Sequence, residues 1–202
     1  FSGLDESELG RLSKVAMRRR AARGEQVVRA GEDAETLIVL LTGRAKVTNF
    51  DEEGREIILA WLGPGEFFGE MGLIDSSPRS ASVIAVEPCE LLTLGKHEFQ
   101  RCMQENFQVA QKLMQILVRR LREADRNIES LALLDVYGRV ARLLLDMSME
   151  EHGKRVVKQK ISKQDMARMI GASREMVSKV MRDLEIGGYI ICADDVITIT
   201  GA

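Results

Sequence analysis

Proline, cysteine, histidine and large aromatics are all scarce in this 202-residue chain, which has three Pro, three Cys, two His, two Tyr and one Trp. Cys89, Cys102 and Cys192 are odd in number and widely scattered. They lack the paired spacings that hold zinc or an iron–sulfur cluster, and a reducing cytoplasm is the expected setting. His97 and His152 share no ligand spacing, which argues against a metal centre, and no nucleophile–base pair stands out, which argues against an enzyme. The longest apolar runs, such as residues 36–41, fall far short of the roughly 20 residues of a membrane span. No targeting segment is visible, although the chain opens on Phe1 rather than methionine and a leader ahead of it is expected.

What is present suits a globular chain of two domains, with 45% hydrophobic and 30% charged residues. A net charge of −2 argues against a surface that binds nucleic acid everywhere. The charge is uneven: residues 1–100 carry 12 Lys and Arg against 17 Asp and Glu, 101–150 carry 8 against 7, and 151–202 carry 9 against 7. Only the C-terminal end leans basic.

Three stretches follow different rules. From about Gln26 to Leu94, short apolar runs are broken by Gly43, Gly54, Gly63 and Gly65, which reads as an antiparallel β jelly-roll barrel. A helix with a stripe of Leu4, Leu9, Leu12 and Val15 is expected ahead of it, over residues 5–16, and Arg18, Arg19 and Arg20 read as a solvated loop between the two. From Glu98 to about Leu134 there is neither glycine nor proline, and one long helix is expected. On it Ala110, Met114, Leu117, Leu121, Ala124, Ile128 and Leu131 alternate at spacings of four and three, the seam of a coiled coil. The seam fits a partner helix in a two-fold homodimer; the alternative is a helix lying on its own barrel. Asp135 can cap a new helix over 136–147, making 133–135 a hinge. A small α+β unit follows, with a strand over 156–161, two helices, and a hairpin of 189–192 and 196–199. The ten methionines, among them Met114, Met166, Met169 and Met181, read as core filler, and Cys89 as buried.

Two motifs carry chemistry. In Phe68-Gly-Glu-Met-Gly-Leu73, followed by Pro78-Arg-Ser-Ala-Ser82, a glycine-flanked turn exposes backbone amides. Glu70 offers a carboxylate to a ribose hydroxyl, and Arg79 with Ser80 offers a charged fork and a hydroxyl to a phosphate. A turn with a surface Glu–Arg pair is the plainer alternative. In the second motif, Ser162 and Asp165 form a capping box, Gly171 supplies a turn and Ser173 caps a second helix. Ala167, Ile170, Val177, Val180 and Leu184 make its packed face, leaving Arg174, Glu175, Ser178 and Lys179 outward. That is helix-turn-helix spacing with the recognition helix second. Arg174 suits guanine O6 and N7, and Glu175 a cytosine amino group.

The order of these motifs resembles the cyclic AMP receptor protein and fumarate–nitrate regulator family of bacterial transcription regulators, and the resemblance covers nearly the whole chain. It implies a barrel over 1–100, a dimerisation helix over 101–134 and a winged helix-turn-helix over 135–202. The resemblance places Glu70 on the ribose hydroxyl of a cyclic nucleotide, Gly69 in a backbone contact with it, Arg79 and Ser80 on its phosphate, and Met71 among the residues that bind it. Ala124 and Asp125 stand where the cyclic AMP receptor has a threonine–serine pair against the purine. Cyclic AMP is the first choice of effector, with cyclic di-GMP behind it. The resemblance further implies that Arg174, Glu175 and Lys179 read bases, that Ser162, Gln164 and Ser173 meet phosphates, and that Lys179 departs from the family's arginine. Implied partners are double-stranded DNA with half-sites like TGTGA, a second copy of the chain through Met114, Leu117, Leu121, Ala124, Ile128 and Leu131, and RNA polymerase. A family member with a vestigial pocket, or a regulatory subunit without DNA binding, would be the rival readings.

Overall fold

The computed structural model describes residues 16–158, 161–193 and 196–200. The helix expected over 5–16 lies, except for its last residue, outside them. The chain divides into two compact units, Phe1–Arg120 and Leu121–Ala202.

The first unit is built on strands β1 (Met17–Ala21), β2 (Gln26–Val28), β3 (Thr36–Thr42), β4 (Ala45–Phe50), β5 (Glu56–Leu62), β6 (Phe67–Phe68), β7 (Ser82–Ala85) and β8 (Cys89–Gly95). They form two four-stranded antiparallel sheets, ordered β1-β8-β3-β6 and β2-β7-β4-β5. Inward residues of both sheets, including Ile38, Leu40, Phe68 and Leu91 from one and Val28, Ala45, Leu62 and Val83 from the other, share one core. The expected jelly roll is therefore present as a two-sheet sandwich; no ladder joins the sheets among the described residues, so the barrel is not closed. β3 is apolar on both faces because Leu37 packs in a second cluster with Leu73, Phe99 and Leu113 while Ile38 and Leu40 fill the sandwich. Cys89 is buried, as expected.

Two local expectations change. Arg18, Arg19 and Arg20 are not in a loop: they form edge strand β1, paired with β8. The ladder is backbone-made and needs no apolar side chain, and Glu25 and Glu90 pair with Arg19 and Arg20 at 2.8 and 3.4 Å. After the short helix α1 (Met71–Asp75), the single long helix is two, α2 (Lys96–Glu105) and α3 (Phe107–Leu133). Asn106 separates them with extended backbone, donating its N–H to Cys102 O and accepting the Val109 N–H on Oδ1, both at 3.1 Å.

The second unit contains α4 (Val136–Met147), β9 (Met149–Glu151), β10 (Lys154–Val157), α5 (Lys163–Ile170), α6 (Arg174–Ile186), β11 (Ile190–Ala193) and β12 (Val196–Ile199), with sheet order β11-β12-β10-β9. Asp135 caps α4, its Oδ1 accepting the Gly138 N–H at 2.8 Å. Val140, Leu144, Val157, Met166, Ala167, Ile170, Val177 and Val180 form the core, and the β11–β12 hairpin supplies Ile190. The strand expected over 156–161 starts two residues earlier and ends at Val157. Met166 and Met181 are buried filler and Met169 is half-buried, but Met114 is exposed on α3.

Candidate functional site

β6 delivers the chain at Gly69 into the first motif, residues 68–82, referred to below as the cassette, and the φ of +84° there favours glycine. A Cβ here would overlap the Arg79 guanidinium and stand 3.0 Å from Thr36 O. Arg79 Nη1 donates to Gly69 O at 2.7 Å, and Nη2 donates to Thr36 O at 2.7 Å and Thr36 Oγ1 at 3.1 Å. The backbone is held as firmly, with Arg79 N–H on Glu32 O and Gly31 N–H on Arg79 O, both at 2.8 Å. Arg79 is 9% exposed. Burial pushes its pKa below the ordinary arginine value, opposed by the carboxylates of Glu70, Glu32 and Glu35.

Glu70 is 2% exposed, and such a burial demands a cation. Arg120 on α3 provides it: Nη1 donates to Glu70 Oε1 at 2.7 Å and Nη2 to Phe67 O at 2.6 Å. The Arg120 guanidinium also lies 4.9 Å from the Phe67 ring centroid, within cation–π range. Arg120 was missed by the sequence reading. Its signal was spacing, because Leu113, Ile116 or Leu117, and Arg120 recur on the helix face that packs on the first unit.

The remaining cassette residues are more open. Met71 and Ser80 are exposed, with Ser80 Oγ 3.7 Å from Met71 Sδ, and the Ser80 carbonyl accepts Asn49 Nδ2 at 3.2 Å. Ser82 is committed to structure, its Oγ accepting Gln26 Nε2 at 3.2 Å and the Ala30 N–H at 3.0 Å. Ala124 and Asp125 are exposed on α3 and belong to the second unit. Along the seam, Met114, Leu121, Ile128 and Leu131 are between 51% and 64% exposed. Leu117 differs: it is half-buried against the cluster of Leu37, Phe99 and Leu113.

In the second unit, Ser162 Oγ accepts the Asp165 N–H at 3.0 Å and donates to Asp165 Oδ2 at 2.7 Å, starting α5. Gly171, with φ +62°, makes the turn, and Arg139 Nη1 on α4 donates to Ile170 O at 2.8 Å to hold the end of α5. Ser173 Oγ accepts the Met176 N–H at 3.2 Å and opens α6. Ser162, Gln164, Ser173, Arg174, Glu175 and Lys179 are all exposed. Ser178, expected outward, is half-buried. The Ser162 hydroxyl spends its proton on Asp165, whereas Ser173 Oγ accepts at its cap and keeps its O–H donor among the described residues. Arg174, Glu175 and Lys179 carry no ion pair among the described residues, so their charges are available to an outside partner.

No group of three or more His, Cys, Asp or Glu among the described residues is placed to hold a metal ion, and no described helix is long and apolar enough to cross a membrane. A cyclic nucleotide-binding domain model matches residues 18–106, and a Crp-like helix-turn-helix domain model matches residues 138–200. The chain is 36% identical over 183 residues to the cAMP-activated global transcriptional regulator CRP of Haemophilus influenzae, spanning 87% of this chain and 80% of that one. It is 34% identical over 192 residues to the cAMP-activated global transcriptional regulator Vfr of Pseudomonas aeruginosa, spanning 90% and 88%. Among solved structures it is similar to the c-di-GMP-responsive global regulator CLP of Xanthomonas campestris, with a TM-score of 0.80, 30% identity and coverage of 98% and 100%.

Proposed function

The chain belongs to the CRP/FNR family of transcription regulators, and from that premise we propose that cyclic AMP, held by Glu70, Arg79 and Ser80, switches its grip on DNA. It is a DNA-binding regulator with a cyclic nucleotide-binding domain, not an enzyme. The observation that carries the ligand reading is the burial of two opposite charges, Glu70 and Arg79, at the polar end of an apolar sandwich. Glu70 accepts the ribose hydroxyl while keeping Arg120, Gly69 and Met71 line the sugar side, and Arg79 and Ser80 take the cyclic phosphate. Ala124 and Asp125 face the purine.

A second copy covers the exposed seam of Met114, Leu121, Ala124, Ile128 and Leu131, with Leu117 at its inner margin. The dimer presents two α6 helices to adjacent major grooves of a palindrome with TGTGA-like half-sites. Arg174, Glu175 and Lys179 read bases there, and Ser162, Gln164 and Ser173 meet phosphates. The organisation is 1–100 for the ligand, 101–134 for the dimer and 135–202 for DNA, acting in the cytoplasm with RNA polymerase. For the ligand to switch anything, it must bind the DNA-competent arrangement better than the other one.

Cyclic di-GMP is the second reading, favoured by the likeness to CLP and by Ala124 and Asp125, which cannot supply two neighbouring hydroxyls. Calorimetric titration with cyclic AMP, cyclic GMP and cyclic di-GMP, followed by DNA binding with and without each ligand, tests the proposal. Cyclic AMP should bind tightest and raise DNA affinity; DNA binding indifferent to all three would leave a constitutive regulator.

A further inference from the structure

We propose that Asn49 touches the bound nucleotide and helps select an adenine base, an inference that rests on the nucleotide reading above. The β4–β7 ladder runs unbroken from Ala45 to Thr48, so alternation puts Ala45, Val47 and Asn49 on one side of β4, while the β4–β5 pairing shifts register between Val47 and Thr48. Ala45 and Val47 belong to the sandwich core, opposite Ala85 and Val83 on β7. Asn49 takes the next inward position, where apolar alternation would place another valine or isoleucine. That position is the end at which the core gives way to the cassette, since Asn49 Nδ2 reaches the Ser80 carbonyl at 3.2 Å. Thr36 makes the same transition on β3: it is in step with the core residues Ile38 and Leu40, and it receives Arg79. Thr36 and Asn49 therefore end the apolar interior on the two sheets, and both bond to the cassette.

A primary amide has two N–H donors and a carbonyl with two lone pairs. One donor of Asn49 is spent on Ser80; among the described residues no protein group takes the other or Oδ1. A half-buried amide on a core-facing register with half of its capacity unspent suits a polar ligand at that place. The unspent pair is one donor and one acceptor. Adenine offers an amino donor beside a ring-nitrogen acceptor on its N6–N7 edge, whereas the N7–O6 edge of guanine offers two acceptors and would face Oδ1 unfavourably, so Asn49 selects adenine by meeting the N7 side of the base. Asn49 thus supplies, from the sandwich side, base-reading chemistry that Ala124 lacks.

The test is calorimetry of the full chain and its Asn49→Ala and Asn49→Leu variants with cyclic AMP and cyclic GMP. Each variant should weaken cyclic AMP by roughly 5- to 100-fold and cyclic GMP by less than about 3-fold, so that the preference between the two narrows. Leucine fills the site with apolar volume and keeps the comparison available should the alanine variant melt early. Equal loss for both nucleotides would mean that Asn49 only steadies the Ser80 carbonyl, and no loss for either would mean that it does not face the ligand; both outcomes overturn the proposal. A wild-type protein that prefers cyclic GMP also overturns it while leaving the nucleotide site standing. A wild type that binds neither these nor cyclic di-GMP would instead bring down the nucleotide reading, and this inference with it.

Discussion

The cassette and the recognition helix hold charge in opposite ways. Glu70 and Arg79 are removed from water, and the protein already satisfies them, with Arg120 on the one and the carbonyls of Gly69 and Thr36 on the other. Arg174, Glu175 and Lys179 stay in water on the exposed face of α6, and only the helix start beneath them is fixed. A small ligand has few atoms with which to offset the desolvation of its site, so the site must be desolvated and oriented beforehand. DNA brings a long row of phosphates, so its readers can remain hydrated until contact and still gain discrimination at the base edges.

Seven single substitutions and one double variant probe this contrast. Leu121→Glu should have the largest effect: like charges facing across the seam should dissociate the proposed dimer, and DNA binding should collapse with it. Sedimentation showing an unchanged dimer would move the interface elsewhere. Leu121 is a cleaner probe than Leu117, because an acid at 117 would also damage the cluster around Phe99.

Arg79→Leu should weaken cyclic nucleotide binding by about 2–4 kcal/mol, roughly 30- to 1000-fold, while ligand-independent contact with DNA persists. Wild-type titration curves from this variant would remove Arg79 from the phosphate site. Arg120→Leu strands the Glu70 carboxylate and should destabilise the first unit by about 3 kcal/mol, the lower end for a broken buried pair because Arg120 is partly exposed. Thermal unfolding should show part of that loss restored in the double variant Arg120→Leu with Glu70→Gln, since no buried charge is left alone.

Arg174→Ala should cost about 1–3 kcal/mol per half-site and relax preference at one base pair. Gln164→Ala provides the internal control and should weaken all sequences alike, while Glu175→Ala should raise non-specific affinity. Binding-site selection with ligand present separates these patterns, and an unchanged preferred sequence at undiminished stringency would exclude α6 as the reader. The smallest effect belongs to Ser162→Ala, which removes the α5 cap and should lower stability by about 1 kcal/mol in denaturant unfolding.

How much could be read in advance followed the range of the interactions. The caps at Asp135, Ser162 and Ser173 and the turn at Gly171 were legible because each is settled within four residues. Asn106 carries the same kind of signal, but a long stretch free of glycine and proline masked it, and one helix was expected where there are two. The strand at Arg18, Arg19 and Arg20 was illegible because its ladder partner, β8, lies some 70 residues along the chain and asks nothing of the side chains.

The chain's own order of residues determined the two-unit plan, the alternation that builds the sandwich, the seam on α3 and the identity of the charged groups in both motifs. These are properties of short-range patterns, where periods of 2 and 3.6 sort side chains before any distant contact forms. Only the tertiary structure decided which of those groups meet. It set Arg120 on Glu70 across 50 positions of sequence, turned Asn49 toward Ser80 across 31, and left Arg174 and Lys179 without an ion pair among the described residues. Such pairings depend on how sheets and helices stack, and a buried carboxylate takes whichever cation the packing brings within reach.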